Sequence, residues 1–181
     1  MAKLKTILRL LKNPRKMIKP LGHRGLFNWL PDMPYLKLVY RAEMQKKLNL
    51  NEPKTFNEKL QWLKLYDRNP IYTKYVDKYE VRSYIAETIG EEYLIPLIGE
   101  VYDNVDEIDW DMLPSAFVIK CTHGSSTNIV CRDKSKLNIN ETKKRLREWL
   151  NKNWYSFGRE WPYKNIKPRI ICEKYMVDES G

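Results

Sequence analysis

The chain has 181 residues and a net charge of +10, and 12% of its residues are aromatic. Such a chain can bury a substantial core and is not disordered by composition, and no apolar run is long enough to span a bilayer. Its three cysteines form no recognisable disulfide framework, which favours a reducing compartment, and its basic N-terminus lacks the small-residue cleavage site of a signal peptide.

The positive charge is concentrated at the N-terminus. Residues 1–50 contain twelve Lys and Arg against two Asp and Glu, whereas residues 51–181 are neutral. Within residues 1–20, an apolar stripe at helical spacing alternates with cations until Pro14 interrupts it. The stripe consists of Leu4, Ile7, Leu8 and Leu11. This pattern predicts a basic amphipathic helix on an anionic membrane surface, and the alternatives are a helix packed on its own domain and a frayed terminus.

Helices are predicted through the first half of the chain. An apolar stripe indicates a helix over 35–48, and a capping box formed by Thr55 and Glu58 predicts the start of the next helix. A short apolar run over 93–98 predicts a strand.

A longer helix is expected over 71–89, with Gly90 placed to end it. Tyrosines and aliphatic residues form its expected buried side. Three charged residues lie on a different face from most of the tyrosines, and solvated charge is the ordinary interpretation of such a face. They are Asp77, Lys78 and Arg82.

The most informative stretch, residues 114–131, reads as a strand, a polar loop and a second strand. The first strand places Phe117, Ile119 and Cys121 on one face and Lys120 on the other. The loop contains one glycine and several hydroxyl residues, and glycine permits turns that point successive N–H groups into one concavity. A lysine beside such a concavity predicts a phosphate site, and an ordinary hairpin with a polar turn is the alternative. The glycine and lysine spacing excludes a P-loop.

Beyond the hairpin, Asn140 is expected to cap an amphipathic helix whose outer face is basic. A last strand is predicted over 169–177, following Pro168.

Three other functions are weighed against these patterns. The spacing of Cys121, His123, Cys131 and Cys172 matches no standard zinc site. A hydrolase built on His123 and Ser125 would lack the nucleophile-elbow sequence and an orienting acid. Nucleic-acid binding is not expected, because the charge is confined to the N-terminal arm and the aromatic residues lie at core-like spacing.

Five ordered blocks of the sequence coincide with one family pattern. They are residues 53–65, 77–82, 93–96, 113–125 and 167–175. Together they resemble the TupA-like ATP-grasp family of cell-surface polysaccharide and teichuronopeptide biosynthesis, over roughly residues 30–181.

This resemblance implies an α+β, ATP-grasp-like fold with a helical N-terminal region and a small nucleotide-binding lobe, whose antiparallel sheet combines the hairpin with the last strand. The expected domains are an arm and linker at 1–30, a helical region at 31–112 and the small lobe at 113–181, ending at the hinge strand. The large lobe would be incomplete.

The resemblance also implies an ATP site. Lys78 and Lys120 are expected to contact the phosphates. A phosphate-covering loop is expected at His123, Gly124, Ser125 and Ser126. The hinge that meets the adenine would consist of Glu173, Lys174, Tyr175 and Met176, with Asp178 holding the ribose.

Mg²⁺ is expected for the family, but the carboxylates and Asn that hold it lie well beyond the hinge, and the sequence ends at Gly181. No metal ligand and no catalytic residue is therefore assigned in this sequence. We expect the N-terminal part of an enzyme, which binds ATP weakly and is inactive alone.

The expected parent activity is ATP-dependent ligation of a carboxylate to an amine through an acyl phosphate, acting on a cell-surface polysaccharide precursor. The expected location is the cytoplasm, at the inner face of the membrane if residues 1–20 contact anionic lipid. One alternative is a polysaccharide glycosyltransferase, although no sugar-nucleotide site is apparent. Another is a non-catalytic module that the basic arm recruits to a membrane or nucleic acid.

Overall fold

The computed structural model describes residues 14–177, so the predicted helix before Pro14 lies outside the described residues. Within them the chain is an α+β protein with a three-stranded antiparallel sheet, which confirms the predicted fold class. The helices are α1 (Ile18–His23), α2 (Asp32–Met44), α3 (Phe56–Tyr66), α4 (Ile71–Val76), α5 (Val81–Ile89), α6 (Ile139–Leu150) and α7 (Tyr155–Gly158). The strands are β1 (Phe117–Cys121), β2 (Asn128–Cys131) and β3 (Ile170–Lys174). Over residues 14–177, no helix combines the length and apolarity that a membrane crossing requires.

Two compact units divide the described chain. The N-terminal unit contains the described residues up to Asn69 together with Tyr155–Lys164. The sheet unit contains Pro70–Trp154 and the described residues from Asn165 onward. The N-terminal unit is therefore assembled from two chain segments that are separated in sequence by most of the sheet unit.

The N-terminal unit packs around α2. Its buried apolar side chains are Tyr35, Leu36, Tyr40, Leu48 and Leu50. The helix begins directly after Pro31 and ends at Met44, earlier at both ends than the predicted helix over 35–48. Gln45 follows with a left-handed backbone, φ 57°, which stops the helix.

Arg159 fixes the second segment of the N-terminal unit to the first. Its guanidinium is buried, lies 4.5 Å from the centre of the Tyr35 ring, and donates hydrogen bonds to the carbonyls of Phe27 at 3.0 Å and Leu30 at 3.3 Å. Arg159 Nε lies 3.8 Å from Asp32 Oδ1. The buried cation is thus compensated by an acid, an aromatic face and two backbone oxygens.

Helix caps explain two of the observed helix starts. The capping box at α3 is confirmed, since Glu58 N donates to Thr55 Oγ1 at 3.3 Å and Thr55 N donates to Glu58 Oε2 at 2.9 Å. The predicted cap of α6 is wrong by two residues. Asn138, not Asn140, accepts from Glu141 N at 3.0 Å, because only Asn138 stands outside the first helical turn with an extended backbone.

The predicted helix over 71–89 is interrupted. It consists of α4 and α5, which are separated by a turn over residues 77–80. Asp77 Oδ1 accepts hydrogen bonds from Tyr79 N at 2.8 Å and Glu80 N at 3.2 Å, and these bonds replace the helical pattern. Gly90 follows α5 with φ 116°, as its predicted role as a helix terminator requires.

The sheet has the strand order β2–β1–β3, and both strand pairs are antiparallel. Phe117, Ile119 and Cys121 are fully buried on one face, where they pack in a core that includes Leu146 of α6.

The strand expected over 93–98 is reduced to one bridge between Leu97 and Glu173, preceded by a 3-10 turn over Glu91–Tyr93. The last strand ends at Lys174 instead of 177, because Lys174 pairs with Phe117, the residue at which its partner β1 begins.

Replacing Arg159 by Ala is expected to lower the free energy of unfolding by about 3–5 kcal/mol, because the carbonyls of Phe27 and Leu30 lose their donor and Asp32 loses its buried cation. The measurement is urea unfolding followed by circular dichroism. Arg68→Ala is the matched control, since Arg68 pairs with the same Asp32 at 2.8 Å at a partly exposed position and should cost about 1 kcal/mol or less. Equal losses in the two variants would contradict the role given to Arg159.

Candidate functional site

The candidate site lies on the face of the sheet opposite the core. In β1 the buried side chains alternate with Val118 and Lys120, which are only half buried. The register pairs Val118 with Glu173 and Lys120 with Ile171, so the same face of β3 presents Ile171 and Glu173. Lys120 Nζ forms an ion pair with Glu173 Oε2. Glu173 is only 5% exposed, so this cation compensates an almost buried carboxylate.

Lys78 approaches the same place from the turn between α4 and α5. Its backbone N donates to the carbonyl of Thr122 at 3.1 Å, and its Nζ donates to the carbonyl of Gly124. Burial lowers the pKa of Lys78, and the nearby Lys120 lowers it further. The two predicted phosphate lysines therefore converge, although they are far apart in sequence.

The predicted phosphate loop has an anchored part and an exposed part. Cys121 N donates to the carbonyl of Thr127 at 2.9 Å and closes the hairpin. Gly124 is buried, and a side chain there would place its Cβ 2.4 Å from Trp154 Nε1, so this position requires glycine. Ser125 and Ser126 are exposed at the tip, and Ser126 has a left-handed backbone with φ 58°.

The imidazole of His123 is directed to structure rather than to the tip of the loop. It is buried, and its Nε2 lies 3.1 Å from the carbonyl of Trp149 near the end of α6. Burial lowers the pKa of His123, which keeps the ring neutral, while the Trp149 carbonyl opposes this shift. Only the backbone of His123 is available to a ligand at the loop.

The predicted hinge begins in the last strand and continues beyond it. Glu173 and Lys174 end β3, and Lys174 has an exposed side chain. Tyr175 is half buried, with the Arg132 guanidinium 6.0 Å from its ring centre, and Met176 is exposed. Asp178, the expected ribose ligand, lies outside the described residues.

Sequence reasoning missed the charged residues that hold Lys78 in place. Asp77 is 2% exposed, so its interpretation as solvated charge is wrong. Its Oδ2 accepts a hydrogen bond from Arg169 Nη2 at 2.9 Å, and the same nitrogen donates to Glu80 Oε1 at 2.7 Å. One local signal in the sequence could have predicted this turn. The side chain of an Asp can accept hydrogen bonds from the amides two and three residues later, which favours a turn over a helix.

Arg82 also belongs to the site and was not predicted there. Its Nη1 lies 3.8 Å from Glu173 Oε1, and its Nη2 donates to the carbonyl of Ile95 at 2.8 Å. Arg82 therefore links the segment beside the hinge to the carboxylate that holds Lys120.

The residues weighed for zinc do not assemble a metal site. Within residues 14–177, no three or more His, Cys, Asp or Glu side chains are grouped so that they could hold a metal ion. Burial raises the pKa of Cys121 and Cys172 to about 12, so both remain protonated thiols.

A comparison with protein families decides the family. The model of the TupA-like ATP-grasp family matches residues 58–181, a stretch that contains Lys78, Lys120, the loop and the hinge. The chain belongs to the TupA-like ATP-grasp family. The resemblance noted from the sequence is thereby confirmed, and ATP-grasp proteins generally bind ATP and Mg²⁺. No curated protein and no solved structure matches the chain.

The buried His123 predicts a pH dependence of stability. Because its pKa is lowered in the folded chain, the unfolded chain takes up this proton at a higher pH than the folded chain does. Well above the ordinary histidine pKa of about 6.5, this group should therefore not affect the free energy of unfolding. As the pH falls below that value, the free energy of unfolding should decrease by at most about 1.4 kcal/mol per pH unit. Urea unfolding across this range measures the effect.

In this experiment His123→Gln should be less stable than the wild type but should lose part of the acid dependence. An unchanged slope in His123→Gln would contradict the assignment.

Proposed function

We propose that this chain binds ATP on the face of its sheet that carries Lys120, with the phosphates held by Lys78, Lys120 and the backbone of residues 123–126. The observation that carries the proposal is the proximity of Lys120 to Lys78, whose Nζ donates to the Gly124 carbonyl. Lys78 is bonded to that carbonyl and Lys120 to Glu173. A phosphate would accept from both ammonium groups and relieve the repulsion between them.

The remainder of the nucleotide is assigned by family resemblance within the proposed small lobe, residues 113–181. The adenine edge would meet the backbone of residues 173–176, and Asp178 would hold the ribose. Support for the adenine position comes from the chain leaving the sheet after Lys174, which frees the backbone beyond it from strand pairing. The exposed side chain of Met176 offers an apolar surface beside it.

The reaction proposed for the family to which this chain belongs is ligation of a carboxylate to an amine. A carboxylate oxygen attacks the γ-phosphorus of ATP, the bond to the ADP oxygen breaks, and an acyl phosphate forms. The amine nitrogen then attacks the acyl carbon, loses a proton, and phosphate leaves. No step is assigned to a metal ion.

A cell-surface polysaccharide precursor is the proposed substrate class, in the cytoplasm. Glycosyl transfer is the alternative chemistry, and trapping with hydroxylamine distinguishes the two. An acyl phosphate yields a hydroxamate when ATP, the acid and hydroxylamine are supplied, whereas glycosyl transfer yields none.

We expect Lys120→Ala and Lys78→Ala each to weaken ATP binding by roughly 10- to 100-fold, the loss typical of a charge-assisted hydrogen bond. Isothermal calorimetry with ATP and Mg²⁺ measures the affinity, and thermal unfolding verifies that each variant folds. Lys136→Ala is the matched control, because Lys136 is highly exposed and pairs only with Asp133 among the described residues. Wild-type protein that binds no ATP would favour the non-catalytic module instead.

We propose further that residues 1–20 contact an anionic membrane, and that exposed apolar side chains in the described residues after them extend this contact. Leu26 is 56% exposed and Trp29 is 77% exposed, three positions apart in the turn between α1 and α2. Arg24 stands beside them, and the sequence contains no acid before Asp32. Exposed Trp and Leu next to a run of cations suit a lipid interface.

Leu26→Ser/Trp29→Ser is expected to reduce sedimentation with vesicles that contain anionic lipid, and added salt should reduce wild-type binding as well. Phe56→Ser is the control, since Phe56 is a comparably exposed aromatic residue on α3. Equal sedimentation of the wild type and the double variant would contradict this surface.

A further inference from the structure

Three segments of the proposed phosphate site meet at one residue, Arg169, which immediately precedes β3. They are the turn over 77–80, the start of the phosphate loop at Thr122, and the hinge strand β3 itself. Sequence reasoning gave Arg169 no functional role.

The side chain of Arg169 fixes the turn that carries Lys78. Its Nη2 donates to Asp77 Oδ2 at 2.9 Å and to Glu80 Oε1 at 2.7 Å, one residue at each end of the turn. Its guanidinium also lies 5.0 Å from the centre of the Tyr79 ring. The arginine therefore contacts every member of the turn except Lys78, whose own side chain is left to point to the loop.

The backbone of Arg169 fixes the loop. Its carbonyl accepts from Thr122 N at 2.8 Å, and the carbonyl of Thr122 accepts from Lys78 N at 3.1 Å. Side-chain and backbone bonds together form a closed circuit through Arg169, Asp77, Lys78 and Thr122. The circuit sets the position of the Lys78 ammonium group relative to the Gly124 carbonyl.

The circuit also restrains the turn against a competing structure. The sequence over 71–89 has a continuous helical pattern, and the turn exists because Asp77 holds two amide groups outside that pattern. Asp77 is almost fully buried, so its carboxylate needs a cationic partner. Without Arg169 the turn would lose this restraint and open locally, and Lys78 would leave the loop.

We propose that Arg169 is a positioning residue for the phosphate-binding Lys78, and this inference rests on the ATP site proposed above. Arg169 acts on the phosphates through Lys78 and not through direct contact. Its loss should therefore weaken the recognition of the triphosphate and leave the recognition of the nucleoside intact, a division that general destabilisation would not produce.

The test compares the affinities of ATP and adenosine for the wild type, Arg169→Gln, Lys78→Met and the double variant, with weak adenosine binding measured by ligand-observed NMR. Arg169→Gln should lose ATP affinity about tenfold or more and retain adenosine affinity within about twofold. In the Lys78→Met background, Arg169→Gln should cause little further loss, because the two residues act as one unit.

Two further measurements separate positioning from folding. Amide hydrogen exchange without nucleotide should be faster at residues 78–80 in Arg169→Gln. Arg169→Lys should restore only part of the ATP affinity, because an ammonium group lacks the planar guanidinium that lies over the Tyr79 ring. Arg147→Gln is the matched control, since Arg147 forms an exposed ion pair with Asp106 at 2.7 Å and should keep wild-type affinities.

Equal losses of ATP and adenosine affinity, or additive losses in the double variant, would overturn the role of Arg169 while leaving the ATP site in place. Failure of the wild type to bind ATP is a distinct result, which overturns the proposed site and this inference with it.

Discussion

The alternation of side chains along β1 is the constraint on which the candidate site depends. Phe117, Ile119 and Cys121 are fully buried in the core of the sheet unit. Because the period of a strand is two residues, burying these three side chains places Val118 and Lys120 on the opposite face. A shift of one residue in register would exchange lysine for core residues and would remove both the core and the site.

Buried charge is the second theme of the sheet unit. Asp77 and Glu173 are both almost fully buried carboxylates, and each is compensated by a cation from a distant part of the sequence. Pairs of this kind add little net stability compared with apolar residues, but removing one member leaves a costly unpaired charge. Glu173 holds Lys120 directly, and Asp77 holds the turn that carries Lys78.

The elements that the sequence predicted correctly are those whose causes are local. The capping box at Thr55, the termination at Gly90 and the alternation in β1 each depend on residues within a few positions of one another. The family was recognisable because several such blocks occur in a fixed order.

The features that were missed depend on distant contacts. The break at Asp77 is held by Arg169, and the ring of His123 is buried against the end of α6. The helical periodicity over 71–89 contains no information about Arg169, so it could not predict the break. The residue types of the loop likewise do not show which side chains are buried. Even the shift of the α6 cap from Asn140 to Asn138 was a choice between two asparagines that both suit a cap.

The division of the N-terminal unit into two segments has a consequence for the order of events during translation. The chain emerges from the ribosome at about 5–20 residues per second, and Arg159 follows the core residues of α2 by well over a hundred positions. Tyr35 and its neighbours must wait several seconds or more for the segment that completes their packing. During that interval the sheet unit is being synthesised. The N-terminal unit therefore starts synthesis first but completes its packing late, and its apolar residues are a surface for chaperones to shield in the meantime.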